Sequence, residues 1–213
     1  MPLARPGRPI RLYTSRFSGH AHRARLCLSL LDLPYEAIEV DLRAGEQKTS
    51  AFLAMNPFGQ VPVIEDGETI IYDSNAILVY LAKRYGDPSW LPDDPVGSAR
   101  VTQWLSLAAG QIAYGPCAAR LIKAFGYELD YDAAVRTATK LFSVLEPEFA
   151  KRPFAIGTQP TIADIAAYTY IAHSSEGGIS LGPYPNIRAW LERIEALPGF
   201  VAMPKFDPAP AAR

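Results

Sequence analysis

Cysteine is nearly absent from this 213-residue chain. Cys27 and Cys117 are too few for a disulfide framework, and both fall in apolar, helical surroundings that read as core. An excess of one charge is lacking too. Lys and Arg total 21 against 22 Asp and Glu, a net charge of −1, and no basic block interleaves with aromatics, which argues against nucleic acid as a partner. Only three histidines occur, His20, His22 and His173. With no cysteine beside them, a metal-ligand set is not legible, and no metal is expected. No hydrophobic run approaches membrane-spanning length, and the segment Met1 to Pro9 has no apolar stretch of the signal-peptide kind. A cytoplasmic protein without membrane contact is the expectation. Internal repeats are missing, and only the Pro/Ala-rich tail Pro204 to Arg213 reads as mobile.

What is present supports a sizeable core: 49% of residues are hydrophobic, and the length favours two domains. Ile10 to Tyr13 reads as a strand, Ala24 to Leu31 as a helix stopped by Pro34, and Tyr35 to Val40 as a second strand. A short helix near Thr49 to Met55 precedes a hairpin, Val61 to Ile64 and Thr69 to Tyr72, turned at Asp66-Gly67; Ala76 to Tyr85 reads as a helix. The order βαβαββα predicts a mixed four-stranded sheet, its first two strands parallel and its closing hairpin antiparallel. Three prolines between Gly86 and Pro95 break the periodicity as a linker does. Beyond it Val101, Trp104, Leu105, Ala108 and Ile112, and later Ile187, Trp190, Leu191, Ile194 and Leu197, keep helical spacing. The fold class is therefore α/β plus all-α, with domains expected at residues 8–86 and 97–203.

The most informative stretch is Asn56-Pro57-Phe58-Gly59-Gln60-Val61-Pro62-Val63, followed by Asp73-Ser74-Asn75-Ala76-Ile77. Pro62 cannot donate to a ladder, so the backbone at Val61 is open to something other than a neighbouring strand, such as a short peptide. Asp73 and Ser74 stand at a helix start, where free N–H groups and partial positive charge favour a carboxylate; each also suits a plain N-cap. Farther on, Thr161-Ile162-Ala163-Asp164 has the form of a short capping box, with a role in folding.

Taken in this order, the Asn-Pro-Phe-Gly-Gln-Val-Pro segment, the Asp-Ser-Asn-Ala-Ile helix start and the capped Pro160-Thr161-Ile162-Ala163-Asp164 segment resemble the cytosolic glutathione transferases over nearly the whole chain. The loop Ser18-Gly19-His20-Ala21-His22-Arg23 is most similar to the serine-type branches, among them zeta and phi-like bacterial relatives. The resemblance implies a thioredoxin-like first domain that binds glutathione as co-substrate and an all-helical second domain that supplies a hydrophobic pocket. It implies a cis Val61-Pro62 bond, backbone pairing of Val61 with the peptide, Ser74 on the γ-glutamyl carboxylate, Asp73 on the ammonium with Gln60 beside them, and Gln47 and Lys48 at the glycine carboxylate. Ser18 would stabilise the thiolate, with Ser15 as runner-up. The electrophile pocket would draw on Phe17, His20, Gln111, Tyr114 and Leu121, and the protein would act in detoxification as a homodimer built on the helices of Ala76 to Tyr85 and around Trp104.

His20 stands where zeta relatives carry cysteine, which speaks against the isomerase activity of that branch; His22 and Arg23 read as solvated or structural. No cysteine lies between Ser18 and Ala21, so redox chemistry of the thioredoxin kind fits this chain poorly. The expected activity is conjugation of glutathione to small hydrophobic electrophiles. The rivals are a ligand-binding or interaction protein on the same fold and a glutathione-dependent isomerase or dehalogenase.

Overall fold

The computed structural model describes residues 5–206, so most of the tail expected to be mobile lies outside the described residues. Four strands, β1 Ile10–Thr14, β2 Tyr35–Glu39, β3 Val63–Asp66 and β4 Thr69–Tyr72, form one sheet in the order β2-β1-β3-β4. β1 and β2 are parallel and β3 and β4 antiparallel, as the order of elements predicts, and β1 also pairs antiparallel with β3. Ile10, Leu12, Val63 and Ile64 have no exposed surface and anchor the sheet against its helices.

Helix α1, Gly19–Leu30, crosses from β1 to β2 and begins five residues before the expected Ala24. Ser18 supplies the N-cap, its hydroxyl oxygen accepting the Ala21 N–H at 3.2 Å. The early turn is polar in sequence yet buried in place. A one-turn 3₁₀ helix, Glu46–Lys48, leads into α2, Ser50–Met55, and α3, Ser74–Tyr85, follows β4. β3 starts at Val63, two residues later than expected, because Val61 lies outside the ladder and Pro62 has no N–H to add to it.

The remainder is helical: α4 Pro95–Ala109, α5 Ala118–Phe125, α6 Tyr131–Lys151, α7 Ile162–Ala172 and α8 Pro185–Glu195. Between α4 and α5, Ala113–Cys117 widens into a π-type turn around Pro116, whose missing N–H and bulky ring do not fit a regular α-helical turn. Buried side chains from Ile10 and Leu26 in the sheet-bearing part to Trp104, Ile171 and Trp190 among the later helices form one contiguous apolar cluster. The sheet-bearing part and the helical part are thereby packed as neighbours, with α1, α3 and α4 all against α7.

The Thr161–Asp164 capping box is present at the start of α7. Asp164, 1% exposed, accepts from the N–H groups of Thr161 (2.9 Å) and Ala155 (2.7 Å) and from Trp190 Nε1 (2.9 Å), which ties α7 to α8 and to the loop before it.

Candidate active site

Four local features of the sheet-bearing part define the candidate site. Ser18 caps α1 with its oxygen used once as acceptor, which leaves its hydroxyl proton free to donate outward. Ser15 accepts the Ser18 N–H through its carbonyl at 2.9 Å, closing the turn between β1 and α1; both serines border a cavity of about 360 Å³. The Val61-Pro62 peptide is cis, and Val61 itself is 9% exposed. Gly59, at φ +59°, closes the preceding turn, where a Cβ would stand 2.8 Å from the Gln47 carbonyl oxygen; only glycine fits.

At the start of α3, Asp73 holds a positive φ of 70° and its Oδ1 accepts the N–H groups of Asn75 (2.9 Å) and Ala76 (3.0 Å). Ser74 is the first helical residue, so its own N–H has no intrahelical acceptor. Its side chain, 3% exposed, turns inward to His20 Nδ1 at 3.3 Å and Arg23 Nη1 at 3.4 Å. Gln60 is exposed and its carbonyl oxygen accepts from Asn56 Nδ2 at 2.8 Å. Gln47 donates its amide to the Leu42 carbonyl at 3.2 Å, and the exposed Lys48 forms no ion pair among the described residues.

His22 and Arg23 are not solvated. His22 is 3% exposed and bridges Thr169 Oγ1 and the Val201 carbonyl, each at 2.8 Å, while Arg23 is 1% exposed beneath Ser74. Burial pushes the His22 imidazole down to about 4, against the upward pull of the Val201 carbonyl. Burial, helped by the Arg23 guanidinium, pushes His20 down to about 3, so both rings are neutral at physiological pH. Gly19 lets the start of α1 approach α7: a Cβ there would meet the Tyr170 ring at 2.6 Å.

The rest of the candidate site is aromatic. Phe17 packs edge-on against Phe206 (centroids 5.3 Å apart), and Phe206 against Phe125 (4.6 Å), so the chain after α8 returns over the loop that carries Ser18. Arg120, on α5 and 1% exposed, donates to the Phe17 carbonyl at 2.9 Å and pairs with Glu176 at 2.7 Å. Leu121 is partly buried beside it, and Tyr114 is 72% exposed. Gln111 lies elsewhere, on a broad groove of about 930 Å³ between α4 and α6 with Trp104, Leu107 and Val144. Arg23, Arg120 and Phe206 escaped the sequence reading. No local signal marks the first two, because the partners that bury them, Tyr170 for Arg23 and Phe17 with Glu176 for Arg120, lie far along the chain.

The described residues contain no cluster of His, Cys, Asp or Glu suited to a metal, and none of their helices is long and apolar enough to cross a membrane. The family model for the glutathione S-transferase N-terminal domain matches residues 12–89, and that for the C-terminal domain matches residues 107–198. Glutathione S-transferase F14 of Arabidopsis thaliana is 33% identical over 195 residues, 84% of this chain and 76% of that protein. A crystal structure of a glutathione S-transferase from Pseudomonas fluorescens superposes with a TM-score of 0.86 at 34% identity, covering 92% of this chain and 99% of the other. A glutathione transferase homologue from Drosophila mojavensis, solved with bound glutathione, gives 0.81 at 30% identity and 89% coverage of each chain.

Proposed function

The chain belongs to the cytosolic glutathione transferase family, and we propose that it is a serine-type member in which Ser18 stabilises the glutathione thiolate for attack on a small hydrophobic electrophile. Glutathione is its co-substrate and glutathione transfer its activity. The observation that carries the serine reading is the position of Ser18: an N-cap whose oxygen is engaged by Ala21 and whose proton remains available at the positive end of α1.

The magnitudes suffice. A thiol with a pKa of ~8.5 needs roughly 2.7 kcal/mol of preferential stabilisation of its anion to titrate two units lower. One hydrogen bond to a charged acceptor contributes about 1.5–3 kcal/mol, and a helix terminus up to ~1 kcal/mol. Ser15, whose carbonyl closes the turn behind Ser18, is the weaker candidate.

Around that thiol, Val61 presents its backbone outside the ladder for pairing with the cysteinyl unit. Ser74, with its N–H at the start of α3, takes the γ-glutamyl carboxylate. Asp73 directs its uncommitted Oδ2 at the ammonium, with Gln60 alongside, and Lys48 with Gln47 receives the glycine carboxylate. The electrophile pocket lies between Phe17 and His20 on one side and Leu121 and Tyr114 on the other. Gln111 is left out of it by its place on the α4–α6 groove.

A homodimer accounts for two exposed apolar features. These are Phe58, 68% exposed beside Tyr72, and the groove that carries Leu107 and the exposed Val144, surfaces that pairing about a two-fold axis would bury. A role in detoxification and a cytoplasmic location follow from the same reading. Calorimetric titration with glutathione beside turnover of an aryl halide tests it. Ser74→Ala is expected to weaken binding, and a protein that binds glutathione without turning over any electrophile would instead be a ligand-storage protein.

A further inference from the structure

His20 is the second residue of α1, two positions after Ser18, and its ring is half-buried. Its Nδ1 lies 3.1 Å from Arg23 Nη1 and 3.3 Å from Ser74 Oγ, and the ring stands edge-on to Tyr170 with centroids 5.1 Å apart. A guanidinium only donates, so Nδ1 is the acceptor and the proton of the neutral ring sits on Nε2. Burial and the neighbouring Arg23 charge keep that ring neutral, with a pKa of about 3. One tautomer is thus fixed throughout the physiological range.

The other nitrogen has no task in the protein. Nε2 donates to nothing among the described residues, and unlike Nε and Nη2 of Arg23 it is not sealed from solvent. The two nitrogens of an imidazole point in nearly opposite directions. With Nδ1 turned to Ser74 at the start of α3, Nε2–H therefore faces away from α3 and from the peptide carboxylate placed there. The ring is also held still. A Cβ on Gly19 would already meet the Tyr170 ring at 2.6 Å, and Tyr170 is itself buried with Arg23 over its face at 5.3 Å. A spacer between Arg23 and Ser74 needs Nδ1 alone. A fixed, outward N–H on a neutral imidazole at a helix N-terminus is suited to an oxygen that gains negative charge, and it costs no reorganisation when that charge appears.

We infer that His20 is a second catalytic residue, whose Nε2–H donates to the oxygen of a bound α,β-unsaturated carbonyl compound and stabilises the enolate formed as the glutathione thiolate adds. The inference rests on the placement of thiolate and electrophile proposed above, and it names a substrate class for that pocket. In the step, sulfur forms a bond to the β-carbon and the electron pair of the carbon–carbon double bond moves toward the carbonyl oxygen, where the negative charge collects. His20 keeps its proton throughout. The α-carbon takes a proton from solvent, which balances the one released when the thiol ionised. Displacement of a halide from a benzylic carbon puts no charge on oxygen, so the same N–H gives it no such assistance.

The test compares two electrophiles that share a phenyl group, 4-phenylbut-3-en-2-one and benzyl chloride, at saturating glutathione. Relative to free glutathione thiolate, the full-length parent should accelerate addition to the enone at least roughly tenfold more than displacement of chloride, the scale of one hydrogen bond to a developing oxyanion. His20→Asn keeps an acceptor toward Arg23 and has no donor at the place of Nε2. It should lower kcat/KM for the enone at least about tenfold more than for benzyl chloride. His20→Gln, whose amide N–H reaches that place, should recover the difference to within about threefold. The bound glutathione thiol should titrate in His20→Asn where it does in the parent; a rise would assign the donor to sulfur and overturn the inference. Equal losses on the two substrates in His20→Asn, or equal accelerations by the parent, also overturn it while leaving the transferase reading intact, and the parent comparison decides should the variants not fold. A parent that turns over no electrophile would remove the transferase reading, and the inference with it.

Discussion

The guanidinium of Arg120 on α5 lies 2.9 Å from the carbonyl oxygen of Phe17, the residue immediately before Ser18. One helical residue of the second half of the chain therefore fixes the turn that carries the proposed thiolate donor. The same side chain pairs with Glu176 at 2.7 Å, and Glu176 in turn receives the N–H of Phe206 at 3.3 Å, so the turn, α5 and the chain after α8 share one buried charge pair.

Arg120→Met should therefore unfold more easily. Removing one partner of a buried pair strands the other, and Glu176 would keep only the His173 imidazole, at 2.6 Å, as a side-chain partner. The expected loss is about 3–5 kcal/mol, read from urea unfolding. Turnover at temperatures where the variant remains folded should also fall, because the Phe17 carbonyl has lost the donor that anchors the turn.

Asp164→Ala should be at least as disruptive without touching the candidate site. Its carboxylate satisfies the N–H groups of Ala155 and Thr161 and the indole of Trp190, all buried. Leaving these donors unpartnered should lower stability by about 3 kcal/mol or more. The affinity for glutathione of the fraction that stays folded should be unchanged.

Stability should decline as pH falls below neutrality, and His22 should account for much of the slope. Burial holds the His22 imidazole at about 4 and that of His20 at about 3, whereas both titrate near 6.5 in an unfolded chain. The unfolded chain thus takes up protons that the folded one refuses. This contribution is fully present above about pH 6.5 and drains as the pH drops toward 4 and then 3, at up to roughly 1.4 kcal/mol per pH unit for each ring. Urea midpoints of the parent and of His22→Gln between pH 7 and pH 5 should show the shallower dependence in the variant; parallel curves would mean that His22 protonates freely in the folded protein.

Much of this was legible in the sequence, and the exceptions have a common cause. The Pro62 break in the ladder, the Asp73 cap and the Thr161–Asp164 box are local devices whose residues lie within a few positions of one another. Local spacing therefore reveals them. Arg23, Arg120 and His22 are polar residues buried by partners far along the chain: Tyr170 and Ser74 for the first, Phe17 and Glu176 for the second, Thr169 and Val201 for the third. Nothing in a single helix distinguishes such a residue from one facing water. For the same reason the first turn of α1 read as loop, since its His20, His22 and Arg23 look solvated until α7 is packed against them.

The measurement that bears most directly on the proposed mechanism is the titration of the glutathione thiol bound to the parent protein and to Ser18→Ala, followed by thiolate absorbance. The account predicts a bound thiol titrating about two units below its free value of ~8.5 in the parent and rising by about one to two units in the variant, with glutathione affinity nearly unchanged. A variant whose bound thiol titrates where the parent's does would contradict it and place the thiolate donor elsewhere than Ser18.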